Sequence, residues 1–250
     1  MELRELTAAL VDLVLPGDCA GCGSPQSPWC AACASRLGPI RSLVLPDGLT
    51  VVAAGRYAGP LRAALLRYKE RGRRDLAAPL AALLAGALDE LRSPPAWLVP
   101  APSRASAARA RGGDHVLRLC RRLAVGRPGL RVSRPLRLAR QARDSVGLDA
   151  VERAANLAGR VLVHPARLPP PGSVVLLVDD VVTTGATLRT CRNALGSAGV
   201  AVSGAVVLGN ATTRRGYRER VSGDPTGGRK AYRRRALCDP TTRRFHQTWG

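Results

Sequence analysis

Leu3, Leu6, Leu10, Leu13 and Val14 recur at three-to-four spacing, which predicts a short amphipathic helix ending before Pro16 and Gly17. A β-like run follows at Thr50–Gly55, and helical and strand patterns then alternate. The periodicity predicts a helix over 73–91, a strand over 97–102, a helix over 105–125 and another over 145–162, with Ser145 as its cap. Val174 to Val178 is an unbroken apolar run, the pattern of a strand buried on both faces of a parallel sheet. Thr187–Ala198 reads as the next helix, stopped by Gly199, and Val200–Leu208 as a further strand. Helices alternating with buried strands predict an α/β fold with a parallel sheet and right-handed crossovers. No internal repeat is visible at the ~20–50-residue periods of solenoids.

The periodicity stops near Asn210. Residues 211–250 carry eleven Arg or Lys against three acids, spaced by Gly, Pro and Thr, which predicts a basic, disordered tail. Three parts are therefore expected: residues 1–45 with the first helix and a cysteine-rich lobe, an α/β domain over 50–210, and the tail 211–250.

Composition narrows the class. At 250 residues, 46% hydrophobic and 23% charged, the chain has enough apolar content to exclude a wholly disordered protein. Three Trp, four Tyr and one Phe leave the core to Leu, Val and Ala. A net charge of +21 attracts polyanions at low salt but carries no information on fold, and an Arg- and Ala-rich composition also follows from genome bias. No stretch approaches the ~18–20 apolar residues of a membrane span. Acids in Met-Glu-Leu-Arg-Glu-Leu run against a secretory signal, so a cytoplasmic protein is expected. Seven cysteines, an odd number, argue against a disulfide framework.

Four of those cysteines form two knuckles, Cys19-x2-Cys22 and Cys30-x2-Cys33, seven residues apart. Two residues between thiolates let both sulfurs of a tight turn face one ion, and two such turns complete a tetrahedral zinc site. Four thiolates leave no open coordination position, which makes such a site structural, stabilising a lobe too poor in core to fold alone. A thioredoxin-type pair, which would open a helix directly after a buried strand, and four incidental thiols are the competing readings.

The segment richest in chemistry is Val175-Leu-Leu-Val-Asp179-Asp180-Val-Val-Thr183-Thr184-Gly185-Ala186-Thr187. An apolar strand hands two carboxylates to a loop of small and hydroxylated residues, and a helix follows. Ligands of open α/β sheets bind outside the carboxyl ends of strands. Helix-start N–H groups and Thr hydroxyls make a phosphate cradle, and a glycine admits close backbone approach. An acidic pair beside such a cradle suits a sugar with vicinal hydroxyls and a 5′-phosphate. An ordinary buried strand before a Thr-capped helix, with solvated strand-end acids, is the plainer alternative. No Walker A or Gly-x-Gly-x-x-Gly pattern is present.

These thirteen residues resemble the signature with which type I phosphoribosyltransferases bind phosphoribosyl pyrophosphate. The resemblance implies that Asp179 and Asp180 hold the ribose 2′ and 3′ hydroxyls, and that Thr183, Thr184, Gly185, Ala186 and Thr187 bind the 5′-phosphate. It further implies Mg²⁺ bridging pyrophosphate and ribose oxygens, and a nucleophile displacing pyrophosphate at C1. The knuckles, Tyr68-Lys69, Val99-Pro-Ala-Pro102, Arg109-x-Arg111-Gly112, Gln141 and Arg153-x2-Asn156 resemble the ComF (ComFC) competence family over roughly residues 13–208. That likeness implies a link to DNA uptake, and an alternative role as a non-catalytic factor binding single-stranded DNA or a helicase partner. Gly113, Asp114 and His115 follow where the family usually carries an aromatic residue and an Asn.

The turn after strand 97–102 is the natural pyrophosphate loop, with amides near Ser103 and Arg104. Arg109 and Arg111 either bind pyrophosphate bidentately from a mobile loop or form a solvated basic helix face. Lys69, the only lysine before Lys230, suits a phosphate site as a compact ammonium, with chance as the alternative. His115, His164 and His246 show no metal spacing and no nucleophile pairing, the pattern of ordinary core or surface histidines.

Overall fold

The apolar run 174–178 lies at the centre of a seven-stranded sheet. The structure is a computed structural model that describes residues 17–25, 27–91, 95–103, 113–139, 161–212 and 218–221. The strands are β1 (Arg41–Val44), β2 (Thr50–Arg56), β3 (Ala96–Pro100), β4 (Leu130–Val132), β5 (Leu136–Leu138), β6 (Val161–Val163), β7 (Val174–Val182), β8 (Gly204–Asn210) and β9 (Arg218–Val221). The described α-helices are α1 (Ala31–Ser35), α2 (Gly59–Glu70), α3 (Ala77–Glu90), α4 (His115–Ala124) and α5 (Ala186–Ser197). The order across the main sheet is β4-β3-β7-β8-β2-β1-β9. Its five strands from β4 to β2 are parallel, while β1 runs antiparallel to both β2 and β9. β5 and β6 form a separate antiparallel pair.

Successive side chains of β7 serve opposite faces, as strand geometry requires. Leu176 and Val178 pack with Leu65, Leu84 and Leu119, from α2, α3 and α4. Val175 and Leu177 pack with Leu188, Cys191 and Leu195 of α5 and with Leu43 and Leu45 of the β1 hairpin. The molecule is thus layered helix, sheet, helix around β7. Chain order reverses between β3, which continues outward to β4, and β7, which continues to β8, so a crevice opens at their carboxyl ends.

The α/β expectation holds, and several boundaries shift for physical reasons. β7 runs four residues past Val178, through both carboxylates, because β8 keeps pairing with it as far as Val182↔Asn210. The helix expected over 105–125 is described from His115, where the Asp114 carboxylate accepts from the N–H groups of Val116 and Leu117 as an N-cap. Residues 161 and 162, expected to end a helix, belong to β6; residues 145–160, with Arg153 and Asn156, lie outside the described residues. Within the tail expected to be disordered, residues 218–221 form β9, an edge strand on β1. Most of 211–250 and the helix expected before Pro16 also lie outside the described residues. Among the described residues no helix is long and apolar enough to cross a membrane.

Candidate functional site

Two carboxylates, one from each face of β7, open into a cavity of about 470 Å³ at the carboxyl ends of β3 and β7. Ala101, Pro102 and Ser103 wall it on the β3 side, Thr183 and Thr187 on the loop side, and Lys69 with Leu65 and Leu66 on the α2 side. β3 stops at Pro100, and the last link across is the Ala101 N–H donating to the Val178 carbonyl at 2.8 Å. The β3-facing edge of β7 beyond Val178 is therefore clear of β3, which is what leaves room for a ligand.

The two acids have different surroundings. Asp180 is 8% exposed. Its Oδ2 accepts from Lys69 Nζ at 2.9 Å and from His115 Nε2 at 2.9 Å. Burial pushes this carboxyl up, but the His115 hydrogen bond and the Lys69 charge outweigh it and hold it far below the ordinary carboxylate range. Asp179 is half-buried on the α5 side, and its Oδ1 accepts from the Asp180 N–H at 2.8 Å. Burial first and the neighbouring Asp180 charge second push Asp179 well up. One acid is thus a fixed anion, while the other retains its proton more readily.

The loop after β7 turns at Gly185, whose φ of 68° is left-handed and whose missing Cβ would lie 2.8 Å from Leu45 Cδ1. Only glycine reconciles that turn with the β1 hairpin packed beneath it. The loop delivers the chain into α5 at Ala186, whose N–H donates to Thr184 Oγ1 at 3.4 Å. Thr183 and Thr184 are exposed, and the amides of the first turn of α5 face the same end of the sheet as the carboxylates.

Of the residues singled out in the sequence, the fold brings Lys69, Ser103, Asp179, Asp180, Thr183 and Thr187 to one cavity, with Gly185 and Ala186 in the adjoining turn. Ser103 Oγ is buried with no hydrogen-bond partner among the described residues. Arg104, Arg109, Arg111 and Gln141 lie outside the described residues. His115, read from the sequence as an ordinary core or surface histidine, is 5% exposed and bonded to Asp180, 65 positions away. Lys69, expected to meet phosphate, lines the cavity and is paired with that carboxylate. The only local hint to His115 is that it opens an N-capped helix.

The cysteine cluster stands at the other end of α2. The four Sγ atoms lie within 4.8 Å of one another, with Cys19–Cys33 and Cys22–Cys30 each at 3.6 Å. A tetrahedron of ~2.3 Å zinc–sulfur bonds has edges of ~3.8 Å, so the residues fit a zinc ion. The Gly21 and Cys30 N–H groups both donate to Cys19 Sγ at 3.4 Å. Burial pushes the Cys19 thiol up, yet backbone N–H groups of Cys30, Cys22 and Gly21 outweigh it and bring it to about 6. A Cβ on Gly21 would fall 2.5 Å from Cys33 Sγ and 2.9 Å from Pro60, so the knuckle is closed tightly against α2. Cys30 does cap a helix, the five-residue α1, but among the described residues no strand precedes it, and its sulfur faces Cys22 across the cluster, unlike a redox pair. Arg67 of α2 donates to the Cys19 carbonyl at 3.3 Å, and Arg73 to the Asp18 carbonyl at 3.0 Å.

Residues 129–231 match the family model described as the phosphoribosyl transferase domain. That span covers β4 to β9, including β7 and its loop. An adenine phosphoribosyltransferase of Clavibacter michiganensis subsp. michiganensis (strain NCPPB 382) is 42% identical over 93 residues, covering 31% of this chain and 51% of that protein. The chain therefore spans about half the length of the curated relative it matches. Similar solved structures include an adenine phosphoribosyltransferase from Thermoanaerobacter pseudethanolicus, with 18% identity over 57% of this chain and 71% of that one at a TM-score of 0.33. Another is a hypoxanthine phosphoribosyl transferase from Trypanosoma cruzi, with 19% identity over 62% and 72% of the two chains and a TM-score of 0.33. With the family match, the mostly parallel sheet and its acidic β7 define an α/β fold of the type I phosphoribosyltransferase kind.

Proposed function

We propose that this protein is a phosphoribosyltransferase that binds phosphoribosyl pyrophosphate with Mg²⁺ and transfers the phosphoribosyl group to an acceptor nucleophile. The observation that carries the reading is the single cavity shared by Asp179, Asp180, the Thr183–Thr187 loop and the end of β3. Asp180 and Asp179 take the ribose hydroxyls. Thr183, Thr184, Gly185, Ala186 and Thr187 take the 5′-phosphate, through hydroxyls and the amides of the α5 start. Ser103 and Arg104, with Arg109 and Arg111, take the pyrophosphate, to which Mg²⁺ adds charge neutralisation. Lys69 holds Asp180 ionised when the substrate is absent and lies within the same cavity as the arriving anion.

In the reaction the C1–oxygen bond breaks and pyrophosphate leaves with the electron pair. The acceptor forms the new bond to C1 and gives up its proton to solvent. No covalent intermediate is required: positioning and charge stabilisation carry the rate, with the Asp180 anion beside a ribosyl centre that gains positive character. The test is pyrophosphate release from phosphoribosyl pyrophosphate and Mg²⁺ across a panel of purine and pyrimidine acceptors. Release that requires one acceptor class supports the proposal; no release with any acceptor, from protein that is folded and metal-replete, overturns the transferase reading.

Within this class we infer the ComF kind, because a zinc-fitting Cys19, Cys22, Cys30 and Cys33 cluster precedes the domain and Tyr68-Lys69 reaches the carboxylate site. Under this reading zinc is structural, and the cysteine lobe packs on α2 ahead of β1, which belongs to the main sheet. A second reading, single-stranded DNA binding without transfer, is favoured by one observation. Arg74, Arg118, Arg121 and Arg122 line a groove of about 340 Å³ between α3 and α4, on a chain of net charge +21. Phosphate neutralisation there predicts an affinity that falls steeply with salt and falls further on reversing Arg121 and Arg122. An affinity indifferent to both removes this reading.

A further inference from the structure

His115 is less exposed than Lys69, the other side chain bonded to Asp180, and it is held by α2 and β7. Its ring packs edge-on to Tyr68 at a centroid distance of 6.2 Å and an interplanar angle of 74°. The Tyr68 hydroxyl donates to the His115 carbonyl at 3.0 Å. Asp114, immediately before it, caps the helix and lies 3.6 Å from Arg134. Nε2 lies 2.9 Å from Asp180 Oδ2, while Nδ1 is buried with no partner among the described residues. An ionised carboxylate only accepts, so the Nε2 proton is the one donated.

Lys69 bonds the same oxygen under different conditions. Its side chain is 41% exposed, against 6% for His115, and it ends a four-carbon stem in three rotatable donors. A flexible ammonium supplies charge to Asp180 but does little to fix its rotamer. A buried imidazole on a capped helix does fix it. Both of these bonds fall on Oδ2, on a carboxylate that lines the cavity.

We propose that His115 is a positioning residue for the ribose site: it locks Asp180 through Oδ2 so that Oδ1 meets a substrate hydroxyl. This rests on the phosphoribosyl pyrophosphate reading of the cavity and adds to it a division of labour, orientation from His115 and charge from Lys69. Asp180 of β7 and Tyr68 of α2 face the imidazole; Lys69 of α2 shares its carboxylate oxygen, and Asp114 caps the helix that it opens.

Two substitutions separate hydrogen bonding from packing. His115→Gln retains an N–H donor at similar reach and loses the ring; His115→Phe retains an aromatic ring beside Tyr68 and loses the donor. The full chain, zinc-loaded, is titrated with phosphoribosyl pyrophosphate and Mg²⁺, and the Asp180 carboxyl carbon is followed by NMR across acidic pH in the absence of ligand. The expected result is affinity within about threefold of the parent for His115→Gln and a loss of at least tenfold for His115→Phe. The Asp180 carboxyl is expected to titrate at higher pH only in His115→Phe. Equal affinity in both variants, or loss in His115→Gln with retention in His115→Phe, overturns the proposal and leaves the cavity assignment standing. A parent protein that does not bind the ligand overturns the assignment, and the ribose role of His115 with it, while the ligand-free titration still decides whether His115 holds the carboxylate. If His115→Phe does not fold, His115→Leu takes its place in the same two measurements.

Discussion

The two ends of α2 carry two anionic clusters built on opposite plans. At its start, four thiols from within fifteen residues converge on one point, and nothing basic is needed if a divalent ion sits among them. Near its end, two adjacent carboxylates on β7 diverge to opposite faces, and their charge is managed by Lys69 and His115 from distant parts of the chain. The first cluster is local and closed, as a structural site should be. The second is assembled by the fold and left open on one side, as a binding site should be. α2 links them physically: Arg67 holds the knuckle and Lys69, two residues on, holds Asp180.

Removing the metal should test that link with the largest effect. Zinc binding in small domains amounts to ~10–16 kcal/mol of folding free energy, and a site docked on a larger domain is expected to contribute a fraction of that. A chelator, or Cys19→Ser, is therefore expected to lower the melting temperature by roughly 10 °C and to weaken ligand binding through displaced Lys69. Metal analysis, melting curves and binding isotherms on the same samples check this. Unchanged binding in a metal-free, folded protein would show the two clusters to be independent.

Asp180→Asn comes next. It leaves Lys69 and His115 facing a neutral amide. Breaking a buried pair costs ~3–5 kcal/mol, which the partial exposure of Lys69 reduces to about 1–3 kcal/mol. Turnover should fall by about 100-fold or more, measurable as pyrophosphate release from a protein that still folds.

Asp179→Asn should act in the opposite direction on stability. The folded-state carboxyl of Asp179 is raised, so its ionisation opposes folding, and that cost grows as pH rises above the ordinary carboxylate range. Replacement by Asn keeps an oxygen for the Asp180 N–H and removes the buried charge. The variant is expected to be about 1 kcal/mol more stable than the parent near neutral pH, with the difference closing towards pH ~4. Asp180 has the reverse sign: its depressed folded value stabilises the protein above the ordinary range, and that contribution is lost as pH falls through the folded value. Denaturation curves at several pH values distinguish the two acids, and parallel profiles for both variants would contradict their different environments.

The same contrast explains what was legible in the sequence. Cys-x2-Cys spacing and the strand–acid–Thr-Gly run are short-range patterns, and both stand in the structure where the spacing puts them. β7 was readable only as far as Val178, since its continuation through two aspartates depends on pairing with β8, which no local propensity encodes. α2 escaped detection because Gly59-Pro60 resembles a turn and its buried Leu61, Ala64, Leu65 and Tyr68 are interleaved with Arg62, Arg67 and Lys69. β1 and β9 are four-residue strands, β9 at the edge of the sheet, and they pair across 174 positions at Val44↔Arg218. His115 reads as an ordinary core or surface histidine, and it is buried; its bond to Asp180 leaves no local sign because the partner is 65 residues away.

The central claim is that the crevice between β3 and β7 binds a phosphorylated ribose through a doubly acidic strand and an amide-lined loop. Calorimetric titration of the zinc-loaded protein with phosphoribosyl pyrophosphate and Mg²⁺ tests it most directly. Saturable one-to-one binding, abolished in Asp180→Asn, is the predicted result; no heat of binding to a folded parent protein, or equal binding by the variant, would contradict it.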